Sequence, residues 1–409
     1  MIRNRDFSKF LRRYVVLLAI PGLIVAANIL VVYRGGELTA YKDIVKRQGE
    51  TQALFGAAFN QNAFGYKLAM VREVAPEVVA LGSSRVMLFR KEDFTSSFVS
   101  AGGAGNFLNE IHDFIVQMSA FHKPKLLILG LDFWWFNPLY PEPTNYDYHL
   151  GTGTALDFDK LTKPFSYMFD RRMPPREYLR LLFSGGKKNP HNGFENYGLR
   201  AAVWCNGFRG DGSHLYGESA FGLNPNFFDK KFLDTLAGVD MGTGYFLHGP
   251  GLAPQRAEEL RGILALCREQ GIRVIVFLPP LAAPVYRAVL ARGDDYAHFR
   301  ELRARLPEIA AAYGAEAYDF TEVAEFGSSD CEFLDGYHGG DVAYARILAA
   351  ILARNPASAL AAYADAGKLR DNIERYAGRA VMNTPEELYR TREVDFLELG
   401  CPKSDSSKK

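Results

Sequence analysis

A segment of twenty uncharged and largely apolar residues, from Tyr14 to Tyr33, lies close to the N-terminus. In a helix that rises about 1.5 Å per residue, this length crosses a hydrocarbon core of roughly 30 Å. Five basic residues precede the segment and Arg34 follows it, against the single acidic Asp6. By the positive-inside rule we expect residues 1–34 to form a single-pass anchor in the inner (cytoplasmic) membrane. The N-terminus is then cytoplasmic and the bulk of the chain exported, or periplasmic.

A cleaved signal peptide is the alternative interpretation of the same segment, because it also combines a basic start with an apolar stretch. The apolar run is longer than the roughly 7–15 residues usual in a signal sequence, and no A-x-A cleavage site follows it. An exported chain meets an oxidising compartment, in which Cys331 can form a disulfide bond. An unpaired, buried thiol is the alternative for that residue.

Charge and cysteine spacing exclude several classes of function. The chain has 48 basic and 47 acidic side chains and a net charge of +1. A nucleic-acid-binding protein needs a basic surface to displace counterions from phosphates, so we expect no nucleic-acid partner. The four cysteines are too far apart for a CxxC zinc site, and the histidines show no metal-ligand spacing. Neither a metal nor a cofactor is expected.

Short apolar runs alternate with helical patterns in the exported part. The apolar runs cover residues 77–81, 125–131, 273–278 and 316–320. Helical patterns cover residues 106–121, 253–270, 294–313 and 341–354. Strands that are apolar on both faces and alternate with helices predict an α/β fold, with a parallel sheet between two layers of helices. Functional sites in such folds lie at the carboxyl ends of the strands.

The expected domain organisation follows from these elements. Residues 35–72, of mixed polarity, are expected to form a helical or irregular stalk after the anchor. Residues 73–137 and 251–356 build the α/β domain. Residues 138–250, rich in glycine, proline, asparagine and aromatic residues, are expected to be an insertion or small subdomain. Residues 357–409 are expected to form C-terminal helices and a disordered tail.

Three polar motifs follow predicted strands or precede the final helix, and they are GSSR at 82–85, AGGAGN at 101–106 and DGYH at 335–338. A serine hydroxyl becomes a nucleophile when a histidine accepts its proton, and a carboxylate must orient that histidine. Asp335 and His338 are three residues apart in a turn, so the carboxylate can reach the imidazole. Together with Ser84, these residue types point to acyl transfer.

In their order and context, LGSSR at 81–85 and FLDGYH at 333–338 resemble the first and last sequence blocks of the SGNH (GDSL-like) hydrolase superfamily. The resemblance implies a flavodoxin-like three-layer fold, with Ser84 as the nucleophile, His338 as the base and Asp335 as the acid that orients it. The GSS variant and the N-terminal anchor are similar to one branch of membrane-anchored proteins. That branch works beside membrane-bound O-acyltransferases in alginate O-acetylation and in teichoic-acid D-alanyl transfer. It implies a membrane-bound O-acyltransferase partner and a polysaccharide or glycan acceptor.

The resemblance also implies an oxyanion hole, which the superfamily builds from a glycine of its second block and an asparagine of its third. Gly102 and Gly103 match the second block. The third block places Asp132 where the amide is expected, and an ionised carboxylate cannot donate a hydrogen bond. Either Asp132 holds the Ser84 turn or Arg85, or backbone N–H groups form the oxyanion hole.

Four further residues are candidates for substrate binding. Arg85 either binds the carboxylate of an acidic sugar or pairs with Asp132. Trp134 and Trp135 either stack on a sugar ring or pack the insertion onto the sheet. Tyr337 lies within the DGYH motif, directly before His338.

The sequence therefore predicts an exported, serine-dependent acyltransferase that moves an acyl group, most simply acetyl, through Ser84 onto a glycan hydroxyl. An esterase or deacylase needs the same three residues, because water and a sugar hydroxyl compete for one acyl-enzyme. A glycan-binding or assembly subunit that keeps the fold without catalysis is the third interpretation. Asp132 is the residue that favours it.

Overall fold

The structure is a computed structural model that describes residues 2–58, 63–142, 158–186, 193–217, 227–382, 399 and 401. The tail from Lys403 onward, expected to be disordered, lies outside these residues. The strands are β1 Ala53–Phe55, β2 Val78–Gly82, β3 Phe98–Gly102, β4 Leu126–Gly130, β5 Glu195–Tyr197, β6 Asn206–Phe208, β7 His214–Tyr216, β8 Arg273–Leu278 and β9 Glu316–Asp319. The helices are α1 Ile2–Arg34, α2 Tyr41–Glu50, α3 Phe64–Val74, α4 Leu108–Ser119, α5 Phe158–Phe169, α6 Pro175–Ser184, α7 Leu199–Trp204, α8 Phe227–Met241, α9 Pro254–Glu269, α10 Ala283–Ala291, α11 Ala297–Ala311, α12 Asp341–Arg354 and α13 Ala366–Tyr376.

Five strands form the central sheet in the order β3-β2-β4-β8-β9, and every neighbouring pair is parallel. The expected α/β class with a parallel sheet is confirmed. Every residue of β2, β3 and β4 is buried, as in parallel sheets that are covered on both faces. Counted along the chain, the strand order is 2-1-3-4-5, which is consistent with a flavodoxin-like fold.

The helices of this domain pack on the sheet through apolar stripes. On α4, the buried residues Ile111, Phe114, Ile115 and Met118 recur at the helical spacing and lie on one face. Helix α9 ends just before Gly271, whose φ of +72° is the left-handed conformation that suits glycine after a helix. Both features agree with the sequence pattern.

Residues 35–72 do not form a separate stalk. Helix α2, strand β1 and most of α3 lie in this range, and side chains such as Ile44, Leu54 and Tyr66 are almost completely buried in the main core. Strand β1 pairs with β5 and β6, which come from the 138–250 segment, and β7 completes this four-stranded sheet. Each of these strands has only three residues, so none produces a recognisable alternation in the sequence.

Helix α1 contains one segment, Phe7–Arg34, that is long and apolar enough to cross a membrane. It is the single such helix among the described residues.

Candidate active site

Ser84 lies directly beyond the carboxyl end of β2, in a short 3₁₀ turn from Ser84 to Val86. The Ser83 hydroxyl accepts a hydrogen bond from the Arg85 backbone N–H at 3.2 Å and so closes the start of the turn. The neighbouring strand β4 ends at Gly130, and Asp132 follows it. Strand order reverses between β2 and β4, and parallel α/β sheets open a crevice for ligands at such a point.

Asp335 and His338 belong to a tight loop between the turn at Asp330–Glu332 and helix α12. The Asp335 Oδ1 atom accepts hydrogen bonds from the backbone N–H groups of Tyr337 at 3.0 Å and His338 at 2.9 Å. The Leu334 N–H donates to the His338 carbonyl at 2.9 Å. These bonds hold the carboxylate and the imidazole of one short loop in a fixed relation.

The structure brings the three side chains of the sequence prediction together. His338 Nδ1 lies 2.8 Å from Asp335 Oδ2, and His338 Nε2 lies 2.8 Å from Ser84 Oγ, across 254 positions of sequence. Burial raises the pKa of Asp335, but the adjacent His338 ring and three hydrogen bonds outweigh it and hold that pKa below its usual value. An ionised Asp335 accepts from Nδ1–H, which leaves Nε2 to accept the proton of the Ser84 hydroxyl.

This arrangement of nucleophile, base and orienting carboxylate can carry out acyl transfer. Asp335 and His338 are buried, and Ser84 is partly exposed. The 2.8 Å distance between Ser84 Oγ and His338 Nε2 is short enough for direct proton transfer between them.

Arg85 is almost completely buried, at 1% exposure, and is therefore closed to an acidic sugar. Its guanidinium donates to Asp132 Oδ1 at 3.1 Å, to Tyr337 O at 3.0 Å, and to Pro279 O and Pro280 O at 2.8 and 2.7 Å. Of the two roles considered for Arg85, the structure has the pairing with Asp132. The side chain ties the serine turn to the ends of β4 and β8 and to the histidine loop.

Asp132 is buried and forms an ion pair with Arg85. Burial raises the pKa of Asp132, and the guanidinium of Arg85 partly opposes this shift. The ion pair with Arg85 accounts for a buried carboxylate at this position. Of the alternatives for Asp132, the structure has the one in which it holds Arg85.

Gly102 and Gly103 support the serine turn. The Gly103 N–H donates to the carbonyls of Gly82 and Ser83, both at 2.9 Å. A Cβ atom at position 102 would lie 2.5 Å from the Met87 backbone nitrogen. Only a glycine at the end of β3 therefore leaves room for the backbone of the serine turn. The Gly103 N–H is thus already bonded within the turn, and an oxyanion role for the Gly102 N–H stays a prediction.

The backbone N–H of Ser84 is a candidate oxyanion donor, of the backbone kind that the sequence analysis allowed without naming the residue. Ser84 is the first residue of its 3₁₀ turn, and the first N–H groups of a helical turn have no acceptor within it. This group lies on the same residue as the nucleophilic oxygen, where an oxyanion would develop.

Trp135 is completely buried in the turn Phe133–Phe136, which packs against α9 and α11. It cannot stack on a sugar, so the packing alternative holds for this residue. Trp134 is 3% exposed, and its ring lies 5.2 Å from the Arg85 guanidinium carbon. Trp134 therefore also packs within the protein.

Tyr337 and Tyr245 form the more accessible aromatic surface next to the histidine. The rings of Tyr337 and His338 are 4.2 Å apart, and Tyr245, at 46% exposure, lies 5.8 Å from Tyr337 and 4.8 Å from Trp134. Burial raises the pKa of Tyr337 well above its usual value. Sequence reasoning missed Tyr245, because the 138–250 segment has no periodicity that would indicate where it folds.

Strand β7 places two more side chains near the base. The Tyr216 ring lies 6.4 Å from the His338 ring, and His214 lies 4.4 Å from Tyr216. Burial, with nearby positive charges, lowers the pKa of His214, which keeps this ring neutral. The 138–250 segment therefore borders the site, which no sequence signal indicated.

Cys331 and Cys401 form a disulfide bond, with an S–S distance of 2.04 Å. Of the two alternatives for Cys331, the structure has the bonded one. The bond connects the turn just before Asp335 to the C-terminal part of the chain. Cys205 and Cys267 are free and buried.

Within the described ranges, no group of three histidine, cysteine, aspartate or glutamate side chains could hold a metal ion. No protein-family model matches the chain, and neither a curated protein nor a solved structure is significantly similar to it.

Proposed function

We propose that this protein is a membrane-anchored serine acyltransferase of the SGNH type that acts on the exported side of the membrane. The observation that carries the proposal is the pair of 2.8 Å hydrogen bonds that connect Ser84, His338 and Asp335. Ser84 and His338, which are far apart in sequence, lie side by side because the loops that carry them are at the carboxyl edge of the parallel sheet. The Arg85 network holds the loops that bring them there.

The reaction begins when the Ser84 Oγ attacks the carbonyl carbon of an acyl donor while His338 Nε2 takes the hydroxyl proton. His338 returns that proton to the leaving group, and the acyl group remains as an ester on Ser84. An acceptor hydroxyl then gives its proton to His338 and displaces Ser84, which recovers the proton. Asp335 stabilises the imidazolium in both halves of the reaction.

The donor side of the proposal includes a partner. An exported site has no access to cytoplasmic acyl-coenzyme A, so a membrane-bound O-acyltransferase is proposed to deliver the acyl group, and a polysaccharide or other glycan to accept it. The apolar length of α1 and the Cys331–Cys401 disulfide support an anchored protein in an oxidising compartment. Tyr245 and Tyr337 offer an aromatic surface that suits a sugar ring.

The test is covalent labelling of Ser84 in the full chain. We expect a fluorophosphonate probe and p-nitrophenyl acetate to modify Ser84, detected as a mass increase on the peptide that contains it. Ser84→Ala should lose the modification and slow nitrophenol release by at least about 10³-fold. Ser329→Ala, which removes an exposed serine outside the triad, is the matched control and should react like the wild type.

A second step separates transfer from hydrolysis. The acetylated enzyme is mixed with glycan oligosaccharides, and acetylated sugar is measured against free acetate. Acetylated sugar as the main product supports the transferase, whereas free acetate alone identifies an esterase or deacylase. If the wild-type chain unfolds cooperatively but its Ser84 reacts no faster than Ser329, both enzymatic functions are rejected. The non-catalytic glycan-binding subunit is then the remaining hypothesis.

A further inference from the structure

Two helices of the 138–250 segment pack against the end of α1. The Asn28 side-chain amide donates to Leu161 O of α5 at 2.7 Å and accepts from the Tyr178 hydroxyl of α6 at 2.8 Å. Arg34 donates to Leu182 O of α6 at 2.6 Å. Asn28 is the one amide side chain of the uncharged run, and these contacts satisfy both of its polar ends. Helices α5 and α6 are thereby held beside α1.

The contacts between α1 and the helices α5 and α6 begin before the uncharged run of α1 ends. Residues 7–26 of α1 are exposed, whereas Asn28, Val31 and Val32 are at most 1% exposed. The uncharged run continues to Tyr33, seven residues or about 10 Å beyond the exposed part.

Because α5 and α6 contact the end of the uncharged run, the position of that run in a bilayer determines how deep α5 and α6 lie. The part of the uncharged run that is open to lipid, residues 14–26, is only about 20 Å long, and a hydrocarbon core measures roughly 30 Å. The last 10 Å of the run contains Asn28 and Val31, which pack against α5 and α6. When α1 spans a bilayer, these two helices therefore lie at the boundary between headgroups and acyl chains, the depth at which amphipathic helices bind.

Both helices expose large apolar side chains on one face. On α5, Phe158 is 77% and Phe169 87% exposed, and their separation of eleven residues is close to three full turns. On α6, Leu179 is 51% and Phe183 75% exposed, one turn apart. Such a group of apolar side chains is rarely left in water on a soluble surface.

Basic side chains lie next to these apolar faces. Arg171 and Arg172 in the connection between the helices, and Arg176 at the start of α6, are all exposed. Aromatic and leucine side chains combined with arginines on short amphipathic helices are typical of segments that bind phospholipid surfaces. The opposite faces of α5 and α6, with Tyr167 and Leu181, pack in a small core with Val31 of α1.

We propose that α5 and α6 form a membrane-docking surface that inserts Phe158, Phe169, Leu179 and Phe183 into the interface of the exported leaflet. The partner is a phospholipid surface. The inference rests on the proposed anchoring through α1. Docking at three helices, with α1 spanning and α5 and α6 lying on the surface, holds the catalytic domain in one orientation to the membrane. The active site then stays at a constant height for an acyl donor delivered by a membrane protein.

The test uses the purified full chain in nanodiscs of neutral and anionic phospholipid. A nitroxide is attached to single introduced cysteines at Phe169→Cys, Phe183→Cys, Leu17→Cys and Leu290→Cys, and its accessibility to oxygen and to a water-soluble nickel complex is measured. Leu17 is an exposed residue of α1, and Leu290 is a 42% exposed leucine of α10, which serves as the matched surface control. The native free cysteines are buried, so the unmodified chain gives the labelling background.

We expect labels at 169 and 183 to have an oxygen-to-nickel accessibility ratio several-fold above that at 290 and below that at 17. Equal ratios at 169, 183 and 290, with a lipid-exposed label at 17, would overturn the docking surface but leave the anchor intact. Low accessibility to both reagents at 169 and 183 would show a protein contact, such as a second copy, and would also overturn it. A water-exposed label at 17 would reject the anchor itself.

Discussion

Replacing Arg85 by lysine tests whether one buried guanidinium holds the site together. The substitution keeps the charge beside Asp132 but exchanges a planar fork of five N–H donors for an ammonium with three. The guanidinium makes four hydrogen bonds, to Asp132 and to the carbonyls of Pro279, Pro280 and Tyr337. A lysine can keep the hydrogen bonds to the carboxylate and to one carbonyl. Two buried carbonyl groups are then left without a hydrogen-bond donor.

Each such carbonyl costs about 1–2 kcal/mol, so we expect the free energy of unfolding to fall by about 2–4 kcal/mol. At roughly 2 °C per kcal/mol, the unfolding temperature falls by about 4–8 °C. The freed Tyr337 carbonyl adjoins His338, so the approach of His338 to Ser84 loosens. The rate of fluorophosphonate labelling is expected to fall about 10- to 100-fold, with the shape of its pH profile unchanged because the reacting groups remain.

The measurements are thermal unfolding followed by near-ultraviolet circular dichroism and the time course of probe incorporation. Arg261→Lys is the control, because Arg261 pairs with Glu258 on an exposed helix surface and should tolerate the change within about 0.5 kcal/mol. Wild-type stability together with a wild-type labelling rate in Arg85→Lys would refute the reasoning. The four hydrogen bonds would then have no part in positioning the loops.

Three further predictions concern stability. Reducing the Cys331–Cys401 bond, which joins residues 70 positions apart, should lower the free energy of unfolding by at most about 4 kcal/mol in chemical denaturation. Cys331→Ser should show the same loss without reductant. Equal stability of the oxidised and the reduced protein would contradict this prediction. Burial lowers the pKa of His298 from 6.5 to about 4, so the unfolded chain binds the extra proton between these values. Stability should therefore fall by about 3 kcal/mol in total as the pH drops from 6.5 to 4, and His298→Gln should reduce the slope of a pH series of denaturation curves. Trp135→Ala should cost about 3–5 kcal/mol because the ring is completely buried; a loss below 1 kcal/mol would show that the pocket is not packed as described.

The parallel sheet could be predicted because its strands carry their own signal. The run at 273–278 coincides with β8, and those at 77–81 and 125–131 differ from β2 and β4 by one residue at each end. Such strands are apolar on both faces and stand out against the amphipathic helices that follow them. Residues 98–102, which form β3, gave no recognisable apolar run because they contain serine and glycine beside two large apolar residues.

The small sheet could not be predicted for a physical reason. Strands β1, β5, β6 and β7 have three residues each, and β1 is about 140 positions from its partner β5 in the chain. A three-residue strand is stable only when it is paired and packed, so its sequence need not resemble a strand. The expectation of a stalk at 35–72 was wrong for this reason.

The candidate site also combines features that follow from the sequence with features that follow only from the tertiary structure. The sequence by itself determined the chemistry of the apolar anchor segment, the alternation that produces the parallel sheet, and a serine and a histidine–aspartate pair at loops beyond its strands. These depend on local patterns, since hydrophobic periodicity and short motifs act within a few residues. The tertiary structure decided that Arg85 is buried and bonded to three separate loops, that Gly103 supports the turn, and that Trp135 packs inward. Such roles depend on which groups from distant segments meet without water between them, and no neighbouring residue in the chain carries that information.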